Sequence, residues 1–318
     1  MQNPEKKAAV FPSRGIGDAI LMMIACHHLK KAGYDVTLYH PTLEELKNWF
    51  ESGSKKQRFA KWPSLEDLPS SVQEYDLVIV QNDNSPRMKV LYSSIPRNKL
   101  SIFYASYVQG KHFPLDPNDR VFVSDKSMAE NIAISVASLL GNKEVSKDNG
   151  LYAPHHLTYR KEKNRVVIHP LSNEEEKNWS VEKYEKLGRA LQEKGFSPVF
   201  VCNEKELPSL HRLSQSCTVE TFPNLEVLAS FIYESGYMIG NDSLIGHLAS
   251  NLAIPTLIIG NDSKRMKLWR PGWLFGEVIT PYDWIPNFKF LRIRSVYWKH
   301  CISVNRVYKA FINLTKIL

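Results

Sequence analysis

Short apolar runs alternate along this chain with longer stretches in which apolar positions recur every three or four residues. Lys7 to Pro12 reads as a strand ending in SRGIGD, and Asp18 to Lys31 has helical spacing. Gly33 stands just past that helix, where glycine commonly ends one. DVTLYH (35–40) predicts the next strand, and Pro41-Thr42 opens a helix carrying Leu43, Leu46 and Phe50. DLVIV (76–80) has the unbroken apolar character of a strand buried in a parallel sheet. Between Pro86 and Arg120 the prolines Pro96, Pro114 and Pro117 interrupt the pattern and leave it unassigned. Ser127 to Leu140 is again helical, closed by Gly141.

The same alternation restarts after a polar, basic run, HHLTYRKEKN, that lies between Pro154 and Asn164 and reads as a linker. RVVIH (165–169), Ser197–Cys202, Tyr237–Gly240 and Pro255–Gly260 predict strands. Ser180–Lys194, Asn224–Glu234 and Ser243–Asn251 predict helices between them. Strand–helix alternation in both halves implies an α/β fold of two doubly wound, Rossmann-like domains facing each other across a cleft. The predicted limits are 1–155 for an N-terminal domain and 165–300 for a C-terminal one. Residues 301–318, with Val307, Ala310, Phe311, Leu314 and Ile317 at helical spacing, form a last helix free to pack back on the N-terminal domain.

Composition narrows the class. A chain of 318 residues is long for one core, and 43% hydrophobic against 23% charged residues is the balance of a soluble globular protein. No apolar run reaches the roughly 18–20 residues needed to cross a bilayer. The opening MQNPEKKAAVFPS is not the pattern of a secretory signal. Cys26, Cys202, Cys217 and Cys301 form no CxxC pair, as expected of reduced thiols in a cytoplasmic protein. The net charge of +8 favours phosphate-rich partners. Lys55, Lys56, Arg58 and Lys61 cluster beside Phe59 and Trp62, either a solvated loop or a face for anionic lipid headgroups. Nucleic acid is not implied, because charge alone is too little.

Three polar strand-to-helix turns carry the candidate chemistry. The first is Ser13-Arg14-Gly15-Ile16-Gly17-Asp18. Its glycines let backbone approach an anion at a helix start, but Ile20 stands where a dinucleotide fingerprint needs a third glycine. Asp18 is either a helix-capping carboxylate or a general base. The second turn runs from His169-Pro170-Leu171-Ser172-Asn173 to Lys177 and Trp179. Hydroxyl and amide groups beside a lysine suit a diphosphate, although an ordinary loop before an N-cap at Ser180 has the same composition. The third is Gly240-Asn241-Asp242-Ser243-Leu244-Ile245-Gly246-His247. There Asp242 could accept hydrogen bonds from sugar hydroxyls and the Ser243 turn could hold phosphate. Capping by Asp-Ser and packing by His247 are the plainer alternatives.

At these residues the chain resembles glycosyltransferase family 9, the lipopolysaccharide heptosyltransferases of GT-B fold. The ordered set is GxGD at Gly15–Asp18, HP at 169–170 with Lys177 and Trp179, and GNDS at 240–243 with His247-Leu248-Ala249. It continues through Ile254-Pro255-Thr256 and Trp269-Arg270-Pro271. The resemblance implies an inverting transferase that needs no metal or other cofactor, its co-substrate being a nucleotide-diphosphate sugar, ADP-heptose first among them. It makes Asp18 the base and Lys177 the group that offsets charge on the leaving diphosphate. It assigns donor binding to Ser172, Asn173, Lys177, Asp242, Ser243, Leu244 and His247, and an acceptor or phosphate loop to Ser13, Arg14, Gly15 and Gly17. Leu244 occupies a position where the family usually has glycine, and Gly246 is expected to restore the close approach to phosphate.

The implied acceptor is an anionic glycolipid of the lipopolysaccharide-core kind. The implied location is cytoplasmic, peripheral at the inner face of the inner membrane. Two other functions fit the same residues: a nucleotide-sugar epimerase of similar layout, and a nucleotide- or glycan-binding protein without catalysis. A nicotinamide oxidoreductase fits poorly, for want of the full glycine fingerprint and a well-placed acidic ribose ligand.

Overall fold

Six parallel strands make each of two sheets. The structure, a computed structural model, describes residues 6–50, 57–172, 174–211, 213, 216–274 and 276–316. The chain divides into two units, 1–152 and 153–318. Lys55 and Lys56 of the basic cluster, and Asn173, lie outside the described residues.

The first sheet holds β1 (Lys7–Phe11), β2 (Asp35–Leu38), β3 (Arg58–Phe59), β4 (Leu77–Gln81), β5 (Leu100–Tyr104) and β6 (Arg120–Val121), in the spatial order 3-2-1-4-5-6. In register, Val10 pairs with Leu38 on one side and Ile79 on the other. Its helices are α1 (Ile16–Lys31), α2 (Leu68–Ser71), α3 (Pro86–Ser94) and α4 (Met128–Leu140). Every residue of α1 from Ala19 to Leu29 is buried, His27 and His28 included, so the helix lies within the unit's core. The stretch opened by Pro41 is a 3-10 helix, Pro41–Trp49, that buries Leu43, Leu46 and Trp49. The unassigned region contains α3 and β5; β5 is buried along its whole length, with Leu100, Ile102 and Tyr104 beside Val78 and Val80 in one core cluster.

The second sheet holds β7 (Glu162–His169), β8 (Ser197–Cys202), β9 (Thr218–Thr221), β10 (Ser235–Asn241), β11 (Thr256–Ile259) and β12 (Glu277–Ile279), in the order 12-11-10-7-8-9. Within its own unit this is the same 3-2-1-4-5-6 winding. The helices are α5 (Val181–Gln192), α6 (Leu225–Tyr233), α7 (Leu244–Asn251), α8 (Ser263–Trp269), α9 (Ile293–Val296), α10 (Trp298–Cys301) and α11 (Val304–Lys316). The C-terminal helix, α11, packs into this second unit: Val307, Phe311 and Leu314 join its core, and the Phe311 ring meets Phe196 at 5.0 Å and Tyr237 at 5.2 Å. Burying such a side chain stabilises by about 1.5–3 kcal/mol, enough to fix the helix there.

In each sheet the winding reverses between two neighbouring strands, β1 and β4 in the first, β7 and β10 in the second. A doubly wound sheet binds its ligand beyond the carboxyl ends of the strands at that reversal. All three turns singled out in the sequence leave β1, β7 or β10 and so fall at these points. Among the described residues no helix is long and apolar enough to cross a membrane. The four cysteines are free, Cys26 and Cys202 buried, and burial pushes the Cys202 thiol up to about 11.

Candidate functional site

Most longer helices are closed at their N-termini by a side chain. Ser127, Ser180, Asn224 and Asp262 accept from the backbone of α4, α5, α6 and α8, the first in a full capping box. Gly15, Ser85 and Ser243, which precede α1, α3 and α7, do not. Helix-start N–H groups without a side-chain cap are available to an anion, and α1, α3 and α7 follow β1, β4 and β10, three of the four strands at the reversals.

In the first unit Asp18 stands in the opening turn of α1. Gln81, the last residue of β4 and 3% exposed, donates from Nε2 to Asp18 Oδ1 at 2.6 Å. Its Oε1 accepts from the Ser13 N–H at 3.2 Å, so one amide fixes both ends of the turn. A Cβ on Gly15 would come within 2.7 Å of Asp18 Oδ2, which explains that glycine by close approach of the carboxylate. The Arg14 carbonyl accepts from His40 Nε2 at 3.2 Å, while its side chain is exposed. Burial holds His40 below its ordinary value, so it is neutral at pH 7 and carries its proton on Nε2. Gly17 lies inside α1.

Next to this turn is a cavity of about 420 Å³, lined among others by Asn82, Asn84, Ser85, Lys89, Lys111 and His112. Asn82 directly follows Gln81, so the cavity begins one residue from the group that holds Asp18. Asn84 has φ 57°, a left-handed conformation that asparagine tolerates, and its Oδ1 accepts from Asn82 Nδ2 at 3.1 Å. Two lysines and the start of α3 in its lining make it suited to an anionic group.

Within the described part of the basic cluster, Lys61 is exposed, while Arg58 and the neighbouring aromatic residues make contacts inside the first unit. Arg58 pairs with Asp35 at 2.7 Å, Phe59 meets Phe50 at 5.5 Å, and Trp62 packs on Phe11 at 4.9 Å. The Arg87 guanidinium lies 4.3 Å over the Trp62 ring, and burial, then the charge of Arg14, lower it from its ordinary value.

The second unit gathers its turn around Asn241, the fully buried last residue of β10. Its Oδ1 accepts from the Trp179 N–H at 3.0 Å and the Tyr184 hydroxyl at 2.9 Å, and its Nδ2 donates to the Pro170 carbonyl at 2.6 Å. Asn241 therefore ties the loop 170–179 to the start of α7. Within that loop Ser172 Oγ lies 2.7 Å from Asn178 Oδ1. Lys177 is paired with Glu174, so its ammonium is already engaged by a carboxylate.

Ser243 turns its hydroxyl to His169 Nδ1 at 3.0 Å, which is why it does not cap α7. His169 Nε2 faces Glu206 Oε2 at 3.7 Å. Burial would raise Glu206, but the hydrogen bonds from His169 and the Asn203 backbone outweigh it and hold the carboxyl below its usual range. Asp242 lies 3.4 Å from Arg265 of α8. His247 is 4% exposed and held neutral by burial, with its ring edge-on to Trp273 at 6.5 Å; it sits in the packing of α7. Gly246 serves packing as well: a Cβ there would meet Ile258 Cδ1 at 2.7 Å and Pro271 Cγ at 3.4 Å. It brings α7 against β11, and Leu244 is the first residue of that helix.

Gln81, Asn178, Glu206, Asn241 and Arg265 thus join the sites that the sequence pointed to. The NDS run supplied a signal for Asn241, and Asn178 lies inside the second turn, between Lys177 and Trp179; Gln81, Glu206 and Arg265 have none, since each is single, polar and distant in sequence from what it holds. Among the described residues no group of three or more His, Cys, Asp or Glu is placed to hold a metal ion.

No curated protein matches this chain by sequence. Among solved structures, a family 9 glycosyl transferase from Veillonella parvula superposes with a TM-score of 0.71 at 18% identity, covering 100% of this chain and 99% of that one. ADP-heptose lipopolysaccharide heptosyltransferase II of Escherichia coli gives 0.67 at 15% identity, with 98% and 99% covered. The E. coli heptosyltransferase WaaC, solved with ADP, gives 0.67 at 13%, with 97% and 99% covered. These likenesses establish the GT-B fold. The family model for glycosyltransferase family 9 (heptosyltransferase) matches residues 95–271, more than half of the chain, and the protein belongs to that family.

Proposed function

We propose that this protein is an inverting, metal-independent heptosyltransferase that moves heptose from ADP-heptose to a hydroxyl of a lipopolysaccharide-core or related anionic glycolipid. It would work in the cytoplasm, peripherally at the inner membrane face. One observation carries the reading: in the second unit the Ser243 hydroxyl is turned to His169 and leaves the start of α7 without a side-chain cap, at the reversal of the sheet. That start is the place for the donor diphosphate. The similar E. coli proteins are named for ADP-heptose or solved with ADP, which supports an adenine nucleotide here.

In the reaction, Asp18, held by Gln81, accepts the proton of the acceptor hydroxyl as its oxygen attacks the anomeric carbon. The sugar–diphosphate bond breaks through an oxocarbenium-like state, and the electron pair leaves with ADP. The start of α7, Ser172 and Lys177, released from Glu174, receive the growing negative charge. Ser243 and Asp242 are aligned by His169 and Arg265 for phosphate and sugar respectively. Ser13, Arg14, Gly15 and Gly17 form the acceptor-side turn. The cationic cavity next to it takes the acceptor's anionic group.

The test is product analysis with ADP-heptose and a lipopolysaccharide-core glycolipid. Transfer with inverted anomeric configuration, undiminished by chelator, supports the reading. Change of the sugar with no acceptor present would make the protein an epimerase. Nucleotide binding without transfer to any core acceptor would make it a binding protein.

A further inference from the structure

Large apolar side chains are expected inside, yet one segment of the second unit turns a series of them outward. Phe290 is 88% exposed, Trp284 78%, Val296 64% and Phe288 61%, and Tyr282 and Tyr297 are exposed as well. Single exposed apolar residues need no explanation, but so many within sixteen positions do.

The segment is built and anchored. Phe288 and Leu291 exchange both backbone hydrogen bonds, at 3.2 and 2.9 Å, so Lys289 and Phe290 form the tip of a closed two-residue turn. The Arg294 N–H donates to the Pro286 carbonyl at 3.1 Å, and Tyr282 stacks on Trp284 at 5.8 Å. At one end Arg306 lies 3.8 Å over the Tyr282 ring and donates to the Thr280 carbonyl. At the other, Trp298 is buried in the core and donates from Nε1 to the Glu176 carbonyl at 3.0 Å. These contacts hold the turn and anchor the segment at both ends.

Between 282 and 300 cations outnumber carboxylates four to one. Four residues are Lys or Arg, and the single carboxylate, Asp283, is bound by Arg294 at 2.8 Å and by the Ser263 hydroxyl at 2.8 Å. Lys289 and Arg292 stand exposed between the aromatic residues. Lys264 and Lys267 are exposed on α8, the helix that Ser263 joins to Asp283. Rings with interleaved cations match the boundary between headgroups and acyl chains of an anionic bilayer. A protein partner would equally need carboxylates opposite, but it would not need rings that project singly around a turn tip.

We infer that Tyr282–Tyr297 is the surface by which this protein sits on an anionic lipid bilayer, Phe290 and Trp284 entering the interface and Lys289 and Arg292 meeting the headgroups. The inference rests on the glycolipid-acceptor reading only for its purpose, which is to hold the enzyme where its acceptor is. The geometry also couples surface to site. Trp298 and Lys299, which end the segment, hold the carbonyls of Glu176 and Glu175, the residues beside Lys177.

The experiment is co-sedimentation of the full chain with vesicles of phosphatidylglycerol and phosphatidylcholine in equal parts, against phosphatidylcholine alone. It is run for the wild type, for Trp284→Ser with Phe290→Ser, and for Lys289→Glu with Arg292→Glu. Calorimetric titration with ADP on each checks that the second unit is intact, and sedimentation velocity reports self-association. Expected is salt-sensitive binding of the wild type to the anionic vesicles, weakened about tenfold or more in each double variant, with ADP affinity unchanged. Equal vesicle binding by wild type and both variants would overturn this surface while leaving a glycolipid acceptor possible. No vesicle binding by the wild type would overturn it too, and the ADP titration would still judge the transferase reading separately. A wild-type dimer that the aromatic variant dissolves, without vesicle binding, would make the face a contact between copies and refute the lipid assignment.

Discussion

Replacing Gln81 by glutamate would put a second carboxylate in hydrogen-bonding contact with Asp18. The amide donates to Asp18 Oδ1 at 2.6 Å from a position that is 3% exposed, so the new charge has little room to turn away. Two unit charges about 4 Å apart repel by about 4 kcal/mol at an effective dielectric constant near 20. That is about three pK units if fully expressed. Asp18 is half-buried, and solvent on its open side reduces the effect to about one or two units. The pair then titrates jointly and holds one proton to higher pH. If Asp18 is the base, the acid limb of kcat/KM with ADP-heptose and the core acceptor moves up by that amount, while the donor Kd is unchanged. Gln81→Leu has the contrasting signature. It leaves Asp18 Oδ1 and the Ser13 N–H without this partner at a cost of about 1–3 kcal/mol, so kcat/KM falls about 5- to 150-fold without a shifted limb. An acid limb that stays in place in Gln81→Glu, with activity retained, would refute the role given to Asp18.

Other consequences follow from the second unit and from burial. Glu174→Gln removes the carboxylate that engages Lys177; because Glu174 is largely exposed, the gain is modest, and donor Kd should tighten about threefold by calorimetry, with weaker binding opposing the assignment. Gly246→Ala should lower the unfolding free energy by about 1–3 kcal/mol through crowding of Ile258, leaving donor affinity near wild type; a large loss of affinity with unchanged stability would instead support a phosphate-binding role for that glycine. His247 and His40 are held below the ordinary histidine value of about 6.5, so the unfolded chain takes up protons first as pH falls. Stability contributed by their burial is complete above that value and is lost as pH drops from it towards the depressed folded-state values. The urea midpoint should therefore depend less on pH between about 7.5 and 5.5 in His247→Gln than in wild type, and an equal dependence would contradict a neutral buried His247.

The two doubly wound sheets were legible because buried parallel strands such as DLVIV and RVVIH have short, unbroken apolar centres and are set off by helices with caps or closing glycines. Edge strands were not. Glu277–Ile279 and Arg58–Phe59 are three and two residues long, too short for any period to emerge. In α1 the spacing from Asp18 to Lys31 and the closing Gly33 gave the helix, but its burial on every side was illegible. Of the candidate site, Asp18 and Ser243 could be read because they sit at strand-to-helix turns next to glycine. What holds them could not. Gln81 meets Asp18 only because β4 lies beside β1, and His169 meets Ser243 only because β10 lies beside β7. The aromatic surface from Tyr282 was illegible for the opposite reason: its rings look like core residues in sequence, and their exposure is a property of the turn at Lys289–Phe290.

The most direct measurement compares Asp18→Asn with wild type in two assays on the same preparation, calorimetric binding of ADP and transfer of heptose from ADP-heptose to a lipopolysaccharide-core acceptor. The asparagine can still accept from Gln81 but is a far weaker base. The account predicts an ADP affinity within about twofold of wild type and transfer slowed by about 10²–10⁴-fold. Transfer that persists within tenfold of wild type would contradict it.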